Sequence, residues 1–345
     1  GYLGARERWF YNGMIMPVVN VYKYLGILFS TRLSFSAACQ DLVSRAKNAL
    51  FCIMRKLYVL NNNSLAIFLK LFDSRVQPIA QYGAELWALD EVASVHIEKL
   101  HLFALKKFLG VERRTPNDFV YGDTGRYPIS IHSVIRCINY WLKLLQMPDS
   151  RLPHKAYLML YRLDERGKVN WVSKVRKFLF LYGFGVVWVN QSVGDCRAFV
   201  SVLRERLIDC RWQNWASHMH ESERFSTYCG FNGFLHETKL YLKLDFDRHI
   251  KTVVTRFRFG VSDLFVHYYR YKSGNNFDMI CPLCRQAQEN EVHFVLCCPF
   301  LTDLRLRFIS EKYYKNPNLF RLNLLMASTQ EEIVRNFALY LYKAF

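Results

Sequence analysis

The chain has 345 residues, of which 51% are hydrophobic and 16% aromatic, a composition that excludes a disordered tail. Its length predicts two or three structural units, and we expect no membrane-spanning helix because no run of about eighteen uninterrupted apolar residues is present. Lysine and arginine number 47 against 29 acidic residues, and the net charge of +18 favours a polyanionic partner, most often nucleic acid. The alternative is a basic surface that meets only solvent.

Two strand pairs are predicted at the N-terminus. Asn12 and Gly13 stand between apolar and aromatic residues, and this pair is typical of a two-residue hairpin because both positions need a positive φ. A second strand pair is predicted between residues 18 and 29, with its interruption at Gly26. The chain enters strand-like sequence directly, so we expect residues 1–32 to be one edge of a sheet whose remainder lies elsewhere.

The rest of the chain predicts a predominantly α fold. From Phe35 to Leu57 apolar residues recur every three or four positions, which predicts an amphipathic helix. Ser64 can cap a second helix, which Pro78 kinks or ends. Further helices are predicted at residues 92–109, 129–145 and 337–345. Short helices are expected between residues 151 and 250, with four tryptophans in their core: Trp171, Trp188, Trp212 and Trp215.

The cysteines divide into a scattered set and a C-terminal cluster. Arg6, Glu7 and Arg8 interrupt the first apolar residues, so no secretory signal is predicted. We therefore expect an intracellular, reducing compartment in which scattered cysteines are mostly buried free thiols. The scattered cysteines are Cys39, Cys52, Cys137, Cys196, Cys210 and Cys229.

The C-terminal cluster has the donor types of a zinc site. The Cys281-x-x-Cys284 turn places two thiolates on one side of a metal, and His293 with a later cysteine completes a tetrahedron of sulfur and nitrogen. Four protein ligands leave no open position, so the zinc ion would be structural. The alternatives are a chance cluster and a redox pair, although a redox pair favours thioredoxin-like surroundings that this sequence lacks.

These residues alone leave two candidates for the third cysteine ligand, Cys297 and Cys298. His293 and Cys297 are four positions apart and share one face of an ideal α-helix. Cys298 requires the helix to loosen, which the following Pro299 favours.

Several short motifs follow one another along the chain, at residues 9–13, 22–27, 77–87, 125–129, 140–141, 255–260 and 281–299. Their order resembles the C-terminal part of a non-LTR (LINE-like) retrotransposon reverse transcriptase. The resemblance spans most of the chain and is weaker between residues 150 and 250. It implies a palm remnant with the primer-grip turn at 1–32, a helical thumb at 33–150, a helical linker region at 151–250 and a zinc-binding region at 251–345. In this family the last zinc ligand commonly lies five residues after the histidine and before a proline, which favours Cys298.

The resemblance implies an RNA-directed DNA polymerase, whose palm holds two Mg²⁺ ions on an adjacent pair of aspartates. This chain has no Asp-Asp pair, so we expect no catalytic residue in it and no polymerase activity from it alone. Mg²⁺ would bind only in the full-length polymerase. We interpret Asp245 and Asp247 as part of a turn between two elements.

A thumb implies a primer–template of RNA or DNA, bound through its phosphates. Tyr24 and Gly26 would position the primer strand. Arg256 and Arg258 alternate with aromatic residues, which predicts a strand with both guanidinium groups on one face; the alternative is an ordinary half-buried strand. The basic residues expected to meet phosphates on the first helix are Arg45, Lys47, Arg55 and Lys56, and those on the third are Lys99, Lys106 and Lys107.

Three functions are compatible with these features. The first is a non-catalytic, nucleic-acid-binding part of the polymerase, located in the nucleus with the RNA of the element. The second is a polymerase subunit that needs a separate palm. The third is a decayed or domesticated copy that acts as a zinc-stabilised protein-interaction module.

Overall fold

The computed structural model describes residues 9–32, 34–221, 226–232, 237–269 and 280–345, so Arg6, Glu7 and Arg8 lie outside the described residues. Helices dominate, and two small antiparallel strand pairs lie near the N-terminus, which confirms the predominantly α fold with a small N-terminal β part. Among the described helices, none combines the length and the apolar character that crossing a membrane requires.

Both predicted hairpins are present. Asn12 and Gly13 have φ angles of 45° and 76°, and Leu25 and Gly26 have φ angles of 46° and 84°. Positive φ at both central positions matches the twist of the flanking strands, which explains why each turn needs only two residues. The antiparallel pairs are β1 (Trp9–Tyr11) with β2 (Met14–Met16), and β3 (Val21–Tyr24) with β4 (Ile27–Ser30).

The helices follow β4. The first eleven are α1 (Ser36–Val59), α2 (Leu65–Leu71), α3 (Gln77–Ala80), α4 (Ala84–Trp87), α5 (Glu91–Leu109), α6 (Asn117–Thr124), α7 (Ile129–Leu145), α8 (Leu152–Glu165), α9 (Trp171–Leu181), α10 (Gly185–Asn190) and α11 (Cys196–Glu221). The others are α12 (Ser226–Phe231), α13 (Leu240–Lys243), α14 (Arg248–Arg258), α15 (Phe265–Tyr269), α16 (Thr302–Phe308), α17 (Glu311–Tyr314), α18 (Leu319–Met326) and α19 (Glu331–Ala344).

Local chemistry sets the ends of α2. The Ser64 hydroxyl accepts a hydrogen bond from the Ile67 backbone N–H at 3.4 Å, which confirms the predicted cap. At the other end, a π-helical turn at Phe72–Val76 leads into α3, whose first turn contains Pro78. Pro78 is tolerated there because a residue in the first turn of a helix needs no backbone N–H for the helix. The helix was predicted to kink or end at Pro78; instead, the chain changes from a π-helix to an α-helix just before this residue.

Two hydrophobic cores lie under these helices. The first contains side chains from α1, α5 and α6 together with side chains from α14, α18 and α19. The second is built from α7, α8, α9, α10 and α11. The first core therefore joins residues of the predicted thumb to residues of the predicted zinc-binding region, while the predicted domain boundaries stay predictions.

The expectations about tryptophan and cysteine burial hold in part. Trp188 and Trp215 are buried and Trp171 is half-buried, but Trp212 is 39% exposed and does not belong to a core. Of the scattered cysteines, Cys39 and Cys137 are buried, and the other three besides Cys52 are half-buried. Cys52 is exposed because it lies beside the apolar stripe of α1. All six are free thiols.

The strand predicted around residues 255–260 is wrong, because this segment ends a helix. Ile250, Val254 and Phe257 are buried along one face of α14, at the four- and three-residue spacing of a helix. The alternation of arginine and phenylalanine covers only the last positions of this longer helical pattern. Arg256 and Arg258, two positions apart on a helix, do not share one face.

Candidate metal centre and nucleic-acid interface

The structure brings together the four side chains that the family resemblance favoured. The ligand atoms of Cys281, Cys284, His293 and Cys298 all lie within 4.8 Å of one another. The Cys281 and Cys298 sulfurs are 3.9 Å apart, and Cys284 Sγ is 3.4 Å from His293 Nε2. These four groups can hold one metal ion.

The first two ligands lie on a tight turn. The Cys281 N–H donates to the Ala287 carbonyl at 2.8 Å, and the Arg285 N–H donates back to the Cys281 carbonyl at 2.8 Å. Arg285 has a φ of 57°, which lets the chain reverse immediately after Cys284. A hydrogen bond from the Gln286 backbone N–H lowers the pKa of the Cys284 thiol, which favours the thiolate that binds metals.

A π-helical turn at His293–Cys297 places Cys298, and not Cys297, among the candidate ligands. Its closing hydrogen bond runs from the Cys298 N–H to the His293 carbonyl at 2.7 Å, so one turn spans five residues instead of four. The wider turn carries Cys297 to the exposed surface and buries Cys298 beside His293. The loosened helix that Cys298 required is therefore present.

Two distant side chains hold this turn. The Arg305 guanidinium donates from Nε to the Val295 carbonyl at 3.0 Å and from Nη2 to the Cys298 carbonyl at 2.6 Å. The Tyr340 hydroxyl lies 2.8 Å from the carbonyl oxygen of Phe294. Buried carbonyls that a π-turn leaves without their α-helical partners need such donors. Spacing along the chain gives no sign of either residue, and sequence reasoning missed both.

Burial sets the protonation of the other two ligands. It lowers the pKa of His293, with help from the Arg305 charge, so the imidazole is neutral and available to a metal near pH 7. It raises the pKa of the Cys298 thiol to about 11. A metal that binds Cys298 at neutral pH must therefore displace its proton.

The predicted primer-grip turn rests on the helices. Tyr24 is 58% exposed, and the Gly26 carbonyl accepts a hydrogen bond from Arg45 Nη2 at 2.9 Å. The Tyr82 hydroxyl donates to the Leu25 carbonyl at 2.8 Å. Arg45 also pairs with Asp41 at 2.8 Å, so its guanidinium anchors the turn to α1.

A groove of about 550 Å³ lies along α1 and α5, and we call it the basic groove. Its side chains include the exposed Lys47, Lys99, Lys107 and Arg113, and no aspartate or glutamate is among the described residues that line it. Lys47 lies over the Phe103 ring, 5.8 Å from its centroid. Arg55 and Lys56 on α1 are also exposed, but neither lines the groove, and Lys56, nine positions after Lys47, lies on the opposite side of the helix.

Lys106 corrects the expectation for the third helix. Its side chain is buried, and the ammonium donates to the carbonyls of Arg113 and Thr115 at 2.9 and 2.6 Å and to Asn117 Oδ1 at 2.7 Å. Burial lowers the pKa of Lys106. Its donors hold the loop after α5, so this lysine is not available to a phosphate.

Arg258 is likewise buried, and it pairs with the buried Asp123 on α6. Arg256 is half-buried and donates from Nε to the Gly110 carbonyl at 3.1 Å. The second phosphate-binding face predicted for these two arginines is therefore not formed. The missed residue was Asp123, which lies far away in the sequence.

Asp245 and Asp247 lie in the short connection between α13 and α14, as predicted.

No protein-family model matches the chain, and no curated protein or solved structure matches it either.

Proposed function

We propose that this chain binds RNA or DNA as the C-terminal part of a non-LTR retrotransposon reverse transcriptase, with a structural zinc ion in its metal centre. The observation that carries the proposal is the basic groove between α1 and α5, whose lining contains no aspartate or glutamate from the described part of the chain. Lys47, Lys99 and Lys107 are spread along it, and the predicted primer-grip turn is fastened to the same helix α1 through Arg45. A phosphate backbone is a partner that such a surface fits.

Zinc fits the metal centre best. Two sulfur atoms bound tetrahedrally to one zinc ion at about 2.3 Å lie roughly 3.8 Å apart. The separation of 3.9 Å between the Cys281 and Cys298 sulfurs agrees with this value. Three thiolates and one imidazole suit zinc, and a complete set of four protein ligands gives the ion a structural role.

The N-terminal hairpins support a partner of β structure. Trp9, Phe10 and Tyr22 are each about 60% exposed, although they belong to strands. Isolated two-stranded hairpins are only marginally stable, and apolar side chains of this size are usually covered in an assembled protein. The remainder of a polymerase palm would cover them.

The test is nucleic-acid binding over a salt series. We expect the purified chain to bind an RNA–DNA primer–template without incorporating nucleotides, with an affinity that falls steeply as salt rises. Replacing Lys47, Lys99 and Lys107 by glutamate should abolish most of this binding and flatten the salt dependence. The matched control replaces three exposed lysines elsewhere, Lys143, Lys155 and Lys168, by glutamate and should leave the binding largely intact.

Two results contradict the proposal: the chain does not bind the primer–template, or the groove variant and the control variant weaken its binding equally. A polymerase subunit that needs a separate palm would also incorporate nucleotides once a palm fragment is added in trans.

A protein-interaction module is the second candidate. Large apolar side chains on α8, α9 and α10 are exposed around the second core, among them Leu152, Met159, Leu181 and Val186. Nucleic-acid binding that ignores charge reversal of Arg45, Lys47, Arg55 and Lys56 would favour this function over the first.

A further inference from the structure

A second concave site adjoins the basic groove, and we call it the α1–α14 cleft. It encloses about 290 Å³ between α1, α5, α13 and α14. Phe51, Met54, Phe108 and Leu242 supply apolar side chains to its walls. This volume lies near the lower end of the range for small-ligand sites, so the cleft has room for one compact, largely apolar group.

The cleft combines these apolar walls with positive charge. Arg55, Lys107 and Arg248 line it and are exposed, and none of the three forms an ion pair with a described acidic residue. Lys251 also lines it and is buried, and its ammonium donates to the carbonyls of Asn63 at 2.8 Å and Leu242 at 3.4 Å. An occupant of complementary chemistry has a flat apolar body and an anionic group.

The aromatic side chains are suited to stacking. Phe108 stacks on the buried Phe68 with ring centroids 4.6 Å apart and planes 20° apart, so its orientation is fixed by the core. Phe108 is itself half-buried, and the exposed Tyr58 also lines the cleft. Rigid aromatic rings next to cations are the usual surface for single-stranded nucleotides, because every base has a stacking face.

Position connects the cleft to the proposed nucleic-acid path. Lys107 lines both the basic groove and the α1–α14 cleft. A strand whose phosphates follow the groove therefore reaches the cleft without leaving the positive surface. The charge on the rim favours a phosphate-linked occupant over a neutral one.

We infer that the α1–α14 cleft holds one unpaired base of the nucleic acid bound in the basic groove, with its phosphate near Arg55, Lys107 and Arg248. This inference rests on the proposed function and adds to it a preference for strands that carry an unpaired nucleotide. A base pair exposes its stacking faces only at a duplex end, whereas an unpaired base can leave the stack and enter an apolar cleft.

The experiment compares two probes that bind the full chain. One is an RNA–DNA duplex with a single bulged 2-aminopurine, and the other is the same duplex with that base paired. We expect the bulged probe to bind roughly tenfold or more tightly, within the range that one base–aromatic stack contributes. The emission of the bulged 2-aminopurine should change on binding.

Filling the cleft should remove this preference. Met54→Trp places a larger side chain in the wall, and we expect equal affinity for the two probes with little change for the paired one. Met159→Trp on the exposed surface of α8 is the matched control and should keep the preference. Arg55→Gln with Arg248→Gln, at two exposed positions, is a second test that does not disturb the core, and it should reduce the preference as well.

Three results overturn the inference. If the chain binds the paired duplex but shows neither a preference nor an emission change, the cleft holds no base and the proposed function stands. If the chain binds neither probe, the proposed function fails too. If free adenosine monophosphate binds more tightly than the bulged probe, the occupant is a mononucleotide and not part of a strand.

Discussion

Asp123 and Arg258 form a buried ion pair in which each carboxylate oxygen accepts a hydrogen bond from the guanidinium group. Arg258 Nε lies 2.7 Å from Asp123 Oδ2, and Arg258 Nη2 lies 3.0 Å from Oδ1. The hydroxyls of Tyr228 and Tyr241 donate to the same two oxygens at 2.8 Å, and Arg258 Nη1 donates to the Met326 carbonyl at 3.0 Å. The pair joins α6 to α14 inside the first core.

Arg258→Met should destabilise the fold by about 3–5 kcal/mol, because it leaves the Asp123 carboxylate buried without its counter-charge. The measurement is the free energy of unfolding in urea. Arg256→Met, at a half-buried position without this partner, is the control and should have a much smaller effect. Adding Asp123→Leu to Arg258→Met should restore part of the loss; a double variant less stable than Arg258→Met would contradict this account.

Cys298 and Cys297 should differ sharply in their importance for zinc binding, although they are adjacent in the sequence. We expect one equivalent of zinc in the purified chain, absent from Cys298→Ser and retained by Cys297→Ser, because only Cys298 lies among the ligand atoms. Metal analysis by mass spectrometry decides between them. Loss of zinc from both variants, or from Cys297→Ser alone, would show that the π-turn does not select the ligand.

Arg305 should support metal binding without touching the ion. Its two hydrogen bonds hold the Val295 and Cys298 carbonyls, so Arg305→Met should weaken zinc affinity by about 10- to 100-fold, as the loss of outer-shell partners commonly does. Competition with a zinc chelator measures the change. Arg307→Met is the matched control, since Arg307 lies two positions away and is exposed. Equal zinc affinities of Arg305→Met and Arg307→Met would show that Arg305 does not support metal binding.

Glu98 should make the fold sensitive to acid. Burial raises the pKa of Glu98, but interactions with His101, Tyr121 and the Ser130 N–H outweigh it and hold the pKa below its ordinary value of 4.5. The folded state therefore favours the carboxylate, so the stabilisation is present above about pH 4.5 and is lost as the pH falls through the lowered pKa. The expected result is that Glu98→Gln is less stable than the parent near pH 7.

The difference in the free energy of unfolding between the parent and Glu98→Gln should then shrink as the pH falls below 4.5. Chemical unfolding curves across this range measure it. A gap that stays constant with pH would mean that Glu98 contributes through its shape and not through its charge.

Local patterns predicted the features that depend on neighbouring residues. The hairpin at Asn12 and Gly13, the cap at Ser64 and the helix at residues 129–145 each follow from a few adjacent side chains, and all three are confirmed. The Cys-x-x-Cys turn belongs to the same group, because a tight turn alone brings Cys281 and Cys284 to one side.

Features that depend on distant residues escaped prediction. Asp123 and Arg258 are 135 positions apart, and no periodicity links them. The alternation around Arg256 misled because a window of six residues fits a strand as well as the end of a helix. The family resemblance favoured Cys298. The π-turn that places Cys298 beside the other candidate ligands is held by hydrogen bonds from the side chains of Arg305 and Tyr340 to its carbonyls.

The shared first core has a consequence for synthesis on the ribosome. α1, α5 and α6 emerge early, but side chains that complete their core come from α14, α18 and α19. Until α14 leaves the exit tunnel, Asp123 has no Arg258 to meet, and until α18 and α19 follow, the early helices keep part of their apolar faces in water. From the synthesis of α1 until that of α19, such a nascent segment should depend on chaperones, and a premature stop before Glu331 should yield an aggregation-prone product instead of a smaller folded protein.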